Sequence, residues 1–517
     1  MNVYCNQQLI VIHGHEFAHT IPLGNKTGGW PLLILLKPII MRNHLLSLLV
    51  ALLAVTGSLP VAAQEAYAVL TPDDGTLTFY YDNQYAHFVQ NHGRVYDMPK
   101  PGERPTWAGD FKADLYQENI KHVVFDVSFS EYRPISTRSW FECCINLKDV
   151  KGIRNLNTEY VTDMGGMFFG CKALTSLDVS NFNTQNVTDM GGMFFGCNAL
   201  TSLDVSNFNT QNVTDMGGMF FFCYALTSLD VSNFNTQNVT RMYHMFCDCE
   251  ALTSLDVSNF NTEKVTDMIC MFSCCEALTS LDVSNFNTKN VTDMWGMFSG
   301  CSALTSLDVS NFNTQDVTNI GSMFLACKAL TSLDVSKFNT QNVINMGSMF
   351  SGCKALTSLN VSKFNTQNVA NMNAMFFSCE ALTSLDVSKF NTENVTDMGC
   401  MFDNCSALTS LDVSKFNTEN VTDMGGMFDN CSALTSLDVS NFNTQNVTNM
   451  AGMFDNCKSL TTIFCNSNWA VGQYVEDIMF NNCTQLKGTN TAYNEYKTGI
   501  EMANPTTGYF TSKTNRY

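Results

Sequence analysis

The stretch CKALTSLDVSNFNTQNVTDMGGMFFG, residues 171–196, is followed by a near copy of itself, and that copy by another. Cysteine stands at 171, 197, 223, 249, 275, 301, 327, 353, 379, 405, 431, 457 and 483, keeping a period of 26 without a slip. A fixed period of roughly 20 to 50 residues marks a solenoid, because one unit cannot cover its own apolar side and must stack on its neighbours.

Two periodicities share the unit. Leu177 and Val179 alternate with Ser176, Asp178 and Ser180, the pattern of a short strand with one face buried. Val187, Met190, Met193, Phe194 and Cys197 fall three or four apart, the spacing of one or two helical turns, with Asn186 and Asp189 placed as a capping pair. Each 26-residue coil is therefore expected to run strand, turn, short helix, giving an α/β repeat of the leucine-rich-repeat-like solenoid class. Stacked strands lie about 4.8 Å apart, so the repeats should extend on the order of 60 Å. Each phase becomes a column, and Phe182, Phe208 and Phe234 are expected to begin an aromatic spine. Where the Met190 phase changes, at Ile320, the replacement is still apolar and of similar volume.

The motif C-x-x-L-T-S-L-D-V-S-x-F-N-T-x-N-V-T-D-M-x-x-M-F-x-x-C resembles the repeat of BspA-like leucine-rich-repeat surface proteins, also found in mycoplasma surface proteins. The resemblance covers roughly residues 140–486, and AYAVLTPDDGTLTFYYD (66–82) is similar to the segment that precedes such repeats. It implies a secreted or surface-displayed bacterial protein, with adhesion or host-protein binding as its role. It carries no assigned binding residues to transfer.

Outside the repeats, MRNHLLSLLVALLAVTGSLPVAAQ (41–64) reads as an export signal. Arg42 and His44 precede an apolar run, and Val61-Ala62-Ala63 supplies small residues ahead of a cut before Gln64. The apolar run is too short for a membrane span. The expected organisation is an extension discarded or untranslated over 1–40, a signal peptide over 41–63, a β-rich N-terminal cap over 64–139, the solenoid over 140–486 and a C-terminal tail over 487–517. The last twenty residues alone have the weak hydrophobicity of a solvated segment.

HEFAH (15–19) matches the H-E-x-x-H pattern, in which His15 and His19 would ligate zinc and Glu16 act as base. It lies upstream of the export signal, between Gly14 and Pro22, where the helix it needs has little room. A zinc peptidase is thus the remote alternative, and no enzyme activity, cofactor or metal is expected of the mature chain.

A net charge of −19 argues against nucleic acid as a partner and toward basic protein patches, with divalent cations as a second class. The exposed strand phase carries Asp178, Asp204, Asp230, Asp256, Asp282, Asp308, Asp334, Asp386, Asp412 and Asp438, with Asn360 the exception. Carboxylates at strand spacing repel and need solvent, counter-ions or the flanking serine hydroxyls. Lys337, Lys363, Lys389 and Lys415 take the phase of Asn181 on four consecutive coils, a basic stripe beside the acidic one. Trp295, at a glycine-rich phase, is an exposed contact candidate. Arg241 takes the phase of Asp215 and Asp267, which predicts an ion pair between coils.

The chain has 21 cysteines. The thirteen at the repeat phase are expected as a reduced, buried column, since parallel Cβ vectors make poor disulfides. Cys247, Cys249, Cys270, Cys274 and Cys275 crowd two adjacent coils, where a bridge such as Cys247 to Cys274 has the reach to form, with a thiolate metal site the lesser alternative because no regular C-x-x-C pair exists. Two roles compete for the solenoid: binding extracellular proteins through its acidic face, as in adhesion, and serving as a passive spacer rod on the cell surface.

Overall fold

The computed structural model describes residues 63–92, 94–469 and 478–513. HEFAH and the export signal through residue 62 lie outside the described residues, and Gln64–Tyr517 forms one unit.

The β-branched and aromatic runs EAYAVLT and TLTFYYD pair as an antiparallel hairpin of β1 (Glu65–Thr71) and β2 (Thr76–Asp82). Gly75 closes it at a φ of 74°, and a Cβ there would lie 2.4 Å from the Asn119 carbonyl oxygen, so only glycine fits. After α1 (Tyr85–His92), β3 (Val95–Asp97) pairs antiparallel with β1. On the other side, β4 (His122–Phe125) and β5 (Asp149–Lys151) run parallel to β2, giving the order β3-β1-β2-β4-β5. The sheet thus continues past residue 139 into the first coil.

Its buried face gathers Phe79, Trp107, Phe125, Phe129, Trp140 and Phe141, with Phe79 stacked on Trp140 at 5.6 Å. Trp107 Nε1 donates to the Trp140 carbonyl at 2.6 Å, so the indole loses no hydrogen bond on burial. Phe141 stacks on Phe168 at 5.3 Å, which joins the cap to the interior of the coils.

From Phe168 to Phe480 one phenylalanine per coil stacks on the next at 5.5–6.0 Å, with planes within 4–11°. This is the aromatic spine, and it runs in the Phe194 phase rather than the expected Phe182 phase. The Phe182 column is buried too, but its rings touch the spine obliquely, as Phe260 does Phe246 at 6.4 Å. Methionines at the 190 and 193 phases fill the space beside it, fully buried.

Two polar columns run through this interior. Thr184 Oγ1 accepts from Asn209 N at 2.7 Å and donates to Asn209 O at 3.1 Å, and the same two bonds link coil to coil through Thr392 and Asn417. The repeat cysteines are buried and free, as expected, and each thiol donates to a phenylalanine carbonyl of the preceding coil, Cys197 to Phe168 at 3.3 Å for example. That carbonyl also accepts from Cys171 N, so the thiol satisfies its second lone pair.

The helical half of the coil takes another form. Residues 187–197 are consecutive tight turns: Met193 N, Phe195 N and Cys197 N donate three residues back, while Met190 N, Gly192 N, Phe194 N and Gly196 N donate to carbonyls of the next coil. Gly192 and Gly196 have φ of 61° and 68°, and a left-handed residue every fourth position stops helix propagation. Isolated parallel bridges from Ser136 through Asp163, Asp189 and Asp215 to Asn449 run along this side. Asn186 and Asp189 do not cap a helix. Asn186 Nδ2 donates to Glu159 O one coil back at 2.9 Å, and Asp189 Oδ1 accepts from Gly191 N at 2.8 Å.

The strand half is more sparsely bonded, with two-residue parallel strands β6 (Ser202–Leu203) and β7 (Ser228–Leu229). At the far end, β8 (Ser436–Asp438), β9 (Thr462–Phe464) and β10 (Phe510–Thr511) form a parallel sheet in the order β10-β9-β8. The segment expected as a solvated tail therefore caps the last coils, because Met502, Tyr509 and Phe510 cover apolar surface that no further repeat would bury.

Candidate functional site

The acidic ladder is built by the local chemistry of D-V-S. Leu177-phase and Val179-phase side chains turn inward, which sends the aspartate between them outward. In coil after coil one carboxylate oxygen is held by the serine two residues on: Asp204 Oδ1 accepts from Ser206 N at 3.0 Å and from Ser206 Oγ at 2.6 Å. Asp178, Asp230, Asp256 and Asp386 repeat the geometry with Ser180, Ser232, Ser258 and Ser388. Asp412 pairs likewise with Ser414, and Asp282, Asp308 and Asp334 accept from the amides of Ser284, Ser310 and Ser336. These serine bonds hold the Asp178, Asp204, Asp230, Asp256 and Asp282 carboxyls below the ordinary carboxylate range, so these five stay ionised.

Among the described residues, no salt bridge reaches the aspartates from 178 to 412 in this series. Asp438 differs: it is half-buried and ion-paired with Lys513 of the C-terminal cap. Lys337, Lys363, Lys389 and Lys415 are exposed beside the ladder, and after the serine bonds the charges of Lys337 and Lys363 help to keep Asp334 ionised. Shallow grooves of about 480 Å³ along Ser202–Ser254 and 670 Å³ along Ser358–Ser436 follow the same face. Trp295, 41% exposed, is not part of it; it sits on the turn segment, where its amide donates to Asp293 Oδ1 at 2.8 Å.

A second groove was not anticipated from the sequence. About 530 Å³ in volume, it runs along the first coils over a floor of Gly165, Gly191 and Gly217, between Phe169, Phe195 and Phe221 and the ion-paired Arg138 and Arg241. Arg138 bridges Asp163 at 3.0 Å and Asp189 at 2.8 Å, and Arg241 pairs with Asp215 of the preceding coil, as its phase predicts. Exposed Phe111 of the cap lies against Phe169 at 5.0 Å with the rings tilted by 54°. The signal was there: the phase after the spine is phenylalanine at 169, 195 and 221 and again at 377, becoming Cys, Ser, Leu, Asp or Asn elsewhere.

Twenty-six-residue coils with inward leucines and parallel intercoil bonds define a leucine-rich-repeat-like solenoid. The chain belongs to the family described as "Mycoplasma protein of unknown function, DUF285", whose model matches residues 136–254, 221–333, 298–406, 323–435 and 376–496. This agrees with the resemblance to BspA-like surface repeats carried by the motif. Similar solved structures include a leucine-rich cell surface protein from Faecalibacterium prausnitzii, at 18% identity and a TM-score of 0.31 over 77% of this chain and 92% of that one. A leucine-rich repeat protein from Eubacterium ventriosum is similar at 19% identity and a TM-score of 0.34, over 71% and 97% of the two chains. The functional domain of InlJ from Listeria monocytogenes, whose description includes a cysteine ladder, is similar at 18% identity and a TM-score of 0.14, over 69% and 55%. No curated protein matches the chain. Among the described residues, no helix is long and apolar enough to cross a membrane.

Proposed function

We propose that this protein is an exported, cell-surface solenoid that binds basic extracellular proteins along its aspartate face, as an adhesin does. The observation that supports this is the row from Asp178 to Asp412: each carboxylate is fixed by its own serine, and none of them is neutralised by a salt bridge among the described residues. Fixed anions at regular spacing along shallow grooves favour a partner with cations repeated at comparable spacing, and divalent cations are the second ligand class. The lysine stripe from 337 to 415 lowers that potential over the later coils, so the partner should engage the coils of Asp178 to Asp282 first. No enzymatic role is proposed.

The test is binding of the purified 64–517 chain to immobilised basic extracellular matrix proteins at rising salt. A variant with Asp178, Asp204, Asp230 and Asp256 changed to asparagine is compared in parallel. Binding that weakens with ionic strength and is lost in the variant supports the reading. Binding unchanged by either overturns it, and no binding at any salt favours the passive spacer, a reading suggested by the near identity of the coils.

A further inference from the structure

All thirteen repeat-phase thiols are fully shut away by stacking and committed to carbonyls, but two cysteines off that phase are placed differently. Cys270 takes the left-handed position that is Gly218 and Gly296 in other coils, with a φ of 50°, and His244 takes the same position one coil earlier, at 53°. The turn geometry sets this position of one coil against the residue three later in the preceding coil, as Gly192 lies against Phe169. For Cys270 that neighbour is Cys247. The expected partner Cys274 turns elsewhere, toward Ser273 Oγ at 3.7 Å, and sits below Gly300.

Interaction with Cys247 first, and then with His244, lowers the Cys270 thiol against the opposing effect of burial. Cys247 also contacts Asp248 Oδ2 at 3.0 Å, and its own thiol is raised, first by the bond to Cys270 and then by burial. Cys270 and Cys247 are 6% and 4% exposed, whereas Cys249 and Cys275 in the same coils are 0%. His244 and Tyr243 form the end of the 530 Å³ groove, which brings a small molecule up to the cluster, and Gly296 leaves the space over Cys270 free of a side chain.

We propose that Cys270 and Cys247 form a thiol–disulfide exchange site for low-molecular-weight disulfides, closing a bridge between adjacent coils. The Cys270 thiolate attacks one sulfur of the small disulfide RSSR, forming a Cys270–SR bond and expelling RS⁻. Cys247 then gives up its proton to His244 or to RS⁻ and attacks the Cys270 sulfur, expelling the second thiolate. The two cysteine sulfurs lose two electrons, and RSSR leaves as two RSH, one taking the Cys247 proton and the other the proton that Cys270 shed on ionising. The protein's asymmetry sets the order, with the acidified thiol attacking first and the raised thiol resolving.

Glutathione disulfide added to the native chain, followed by acid quench, alkylation and peptide mapping, tests this. The expected product is one cross-link joining residues 247 and 270, with Cys327 and the rest of the repeat column alkylated only after unfolding. In Cys247→Ser the second step is blocked and glutathione should stay on Cys270; in Cys270→Ser no adduct should form on Cys247 at a comparable rate. Both variants should fold, since Ser322 and Ser348 occupy the 270 phase and Ser273 and Ser299 the 247 phase of other coils. His244→Asn, which tolerates the left-handed backbone, should slow the first step about tenfold near neutral pH. A cross-link to Cys274 in place of Cys270, or reaction at Cys270 no faster than at Cys327, overturns the assignment.

Discussion

Thr314→Val tests whether the threonine column holds the coils together. Val keeps the shape of threonine but cannot hydrogen-bond, so the buried Oγ1 that accepts from Asn339 N at 2.8 Å and donates to Asn339 O at 3.0 Å is lost without opening a cavity. Two intramolecular hydrogen bonds at about 1 kcal/mol net each put the cost near 2 kcal/mol, and stranding both backbone groups away from water would raise it. Thr314→Ser keeps the hydroxyl and removes one methyl, a loss of about 1 kcal/mol. Because each coil touches only its neighbours, the weakening should be confined to the joint between these two coils. Hydrogen exchange at the Asn339 amide is the direct assay: protection should fall about thirtyfold in Thr314→Val and by far less in Thr314→Ser. If the Val variant protects Asn339 as well as wild type does, the column is packing and not bonding, and the reasoning fails.

Native alkylation at pH 8 should leave the repeat-phase cysteines unlabelled, since burial pushes Cys223 up to about 12 and Cys197 well above its ordinary value; ready labelling by mass spectrometry would contradict the buried column. The same shifts make stability fall in alkali. A thiol whose folded pKa lies above its unfolded value of about 9 contributes fully below pH 9 and loses that contribution as pH rises toward 12, which urea melts at pH 8 and pH 10 would register. Asp403 behaves in the same sense at lower pH. Burial, then Asp429, raise its carboxyl to about 6, so its contribution is present below about pH 3.8 and lost as pH rises through 6. Asp403→Asn should therefore stabilise the chain at pH 7 by roughly 1 kcal/mol, discounted because the site is half-exposed, and a destabilised variant would refute this. Finally, Ser258→Ala should raise the pKa of Asp256 in an NMR titration, since the serine bonds are the main cause of its depression.

Much of the fold can be read from the period alone. Thirteen cysteines in phase and the inward leucines locate the interior, and Arg241 among aspartates predicts its ion pair with Asp215. The turn segment misleads because apolar residues three and four apart suit both a helix and a run of tight turns. Gly192 and Gly196 are the residues that separate the two, since they admit the left-handed backbone that a helix forbids. The threonine column was hidden by its setting: N-T-x-N reads as a polar loop, and only stacking shows that Thr184 serves the backbone of Asn209. The acidic ladder was legible because alternation places it, but that no salt bridge among the described residues reaches Asp178 to Asp412 required the lysines to be located in space. The cap-side groove needed both the Phe169 column and Arg104 and Lys112 of the cap, some sixty residues apart in sequence.

The same two bonds, threonine to the following asparagine, recur at every joint from Thr158–Asn183 to Thr418–Asn443. A segment such as 275–300 could therefore be excised or duplicated in frame, and the flanking coils would meet with donors, acceptors and rings already matched. Length is then a variable the architecture leaves open: recombination between near-identical stretches can lengthen or shorten the molecule one module at a time, altering its reach while the two end structures stay as they are.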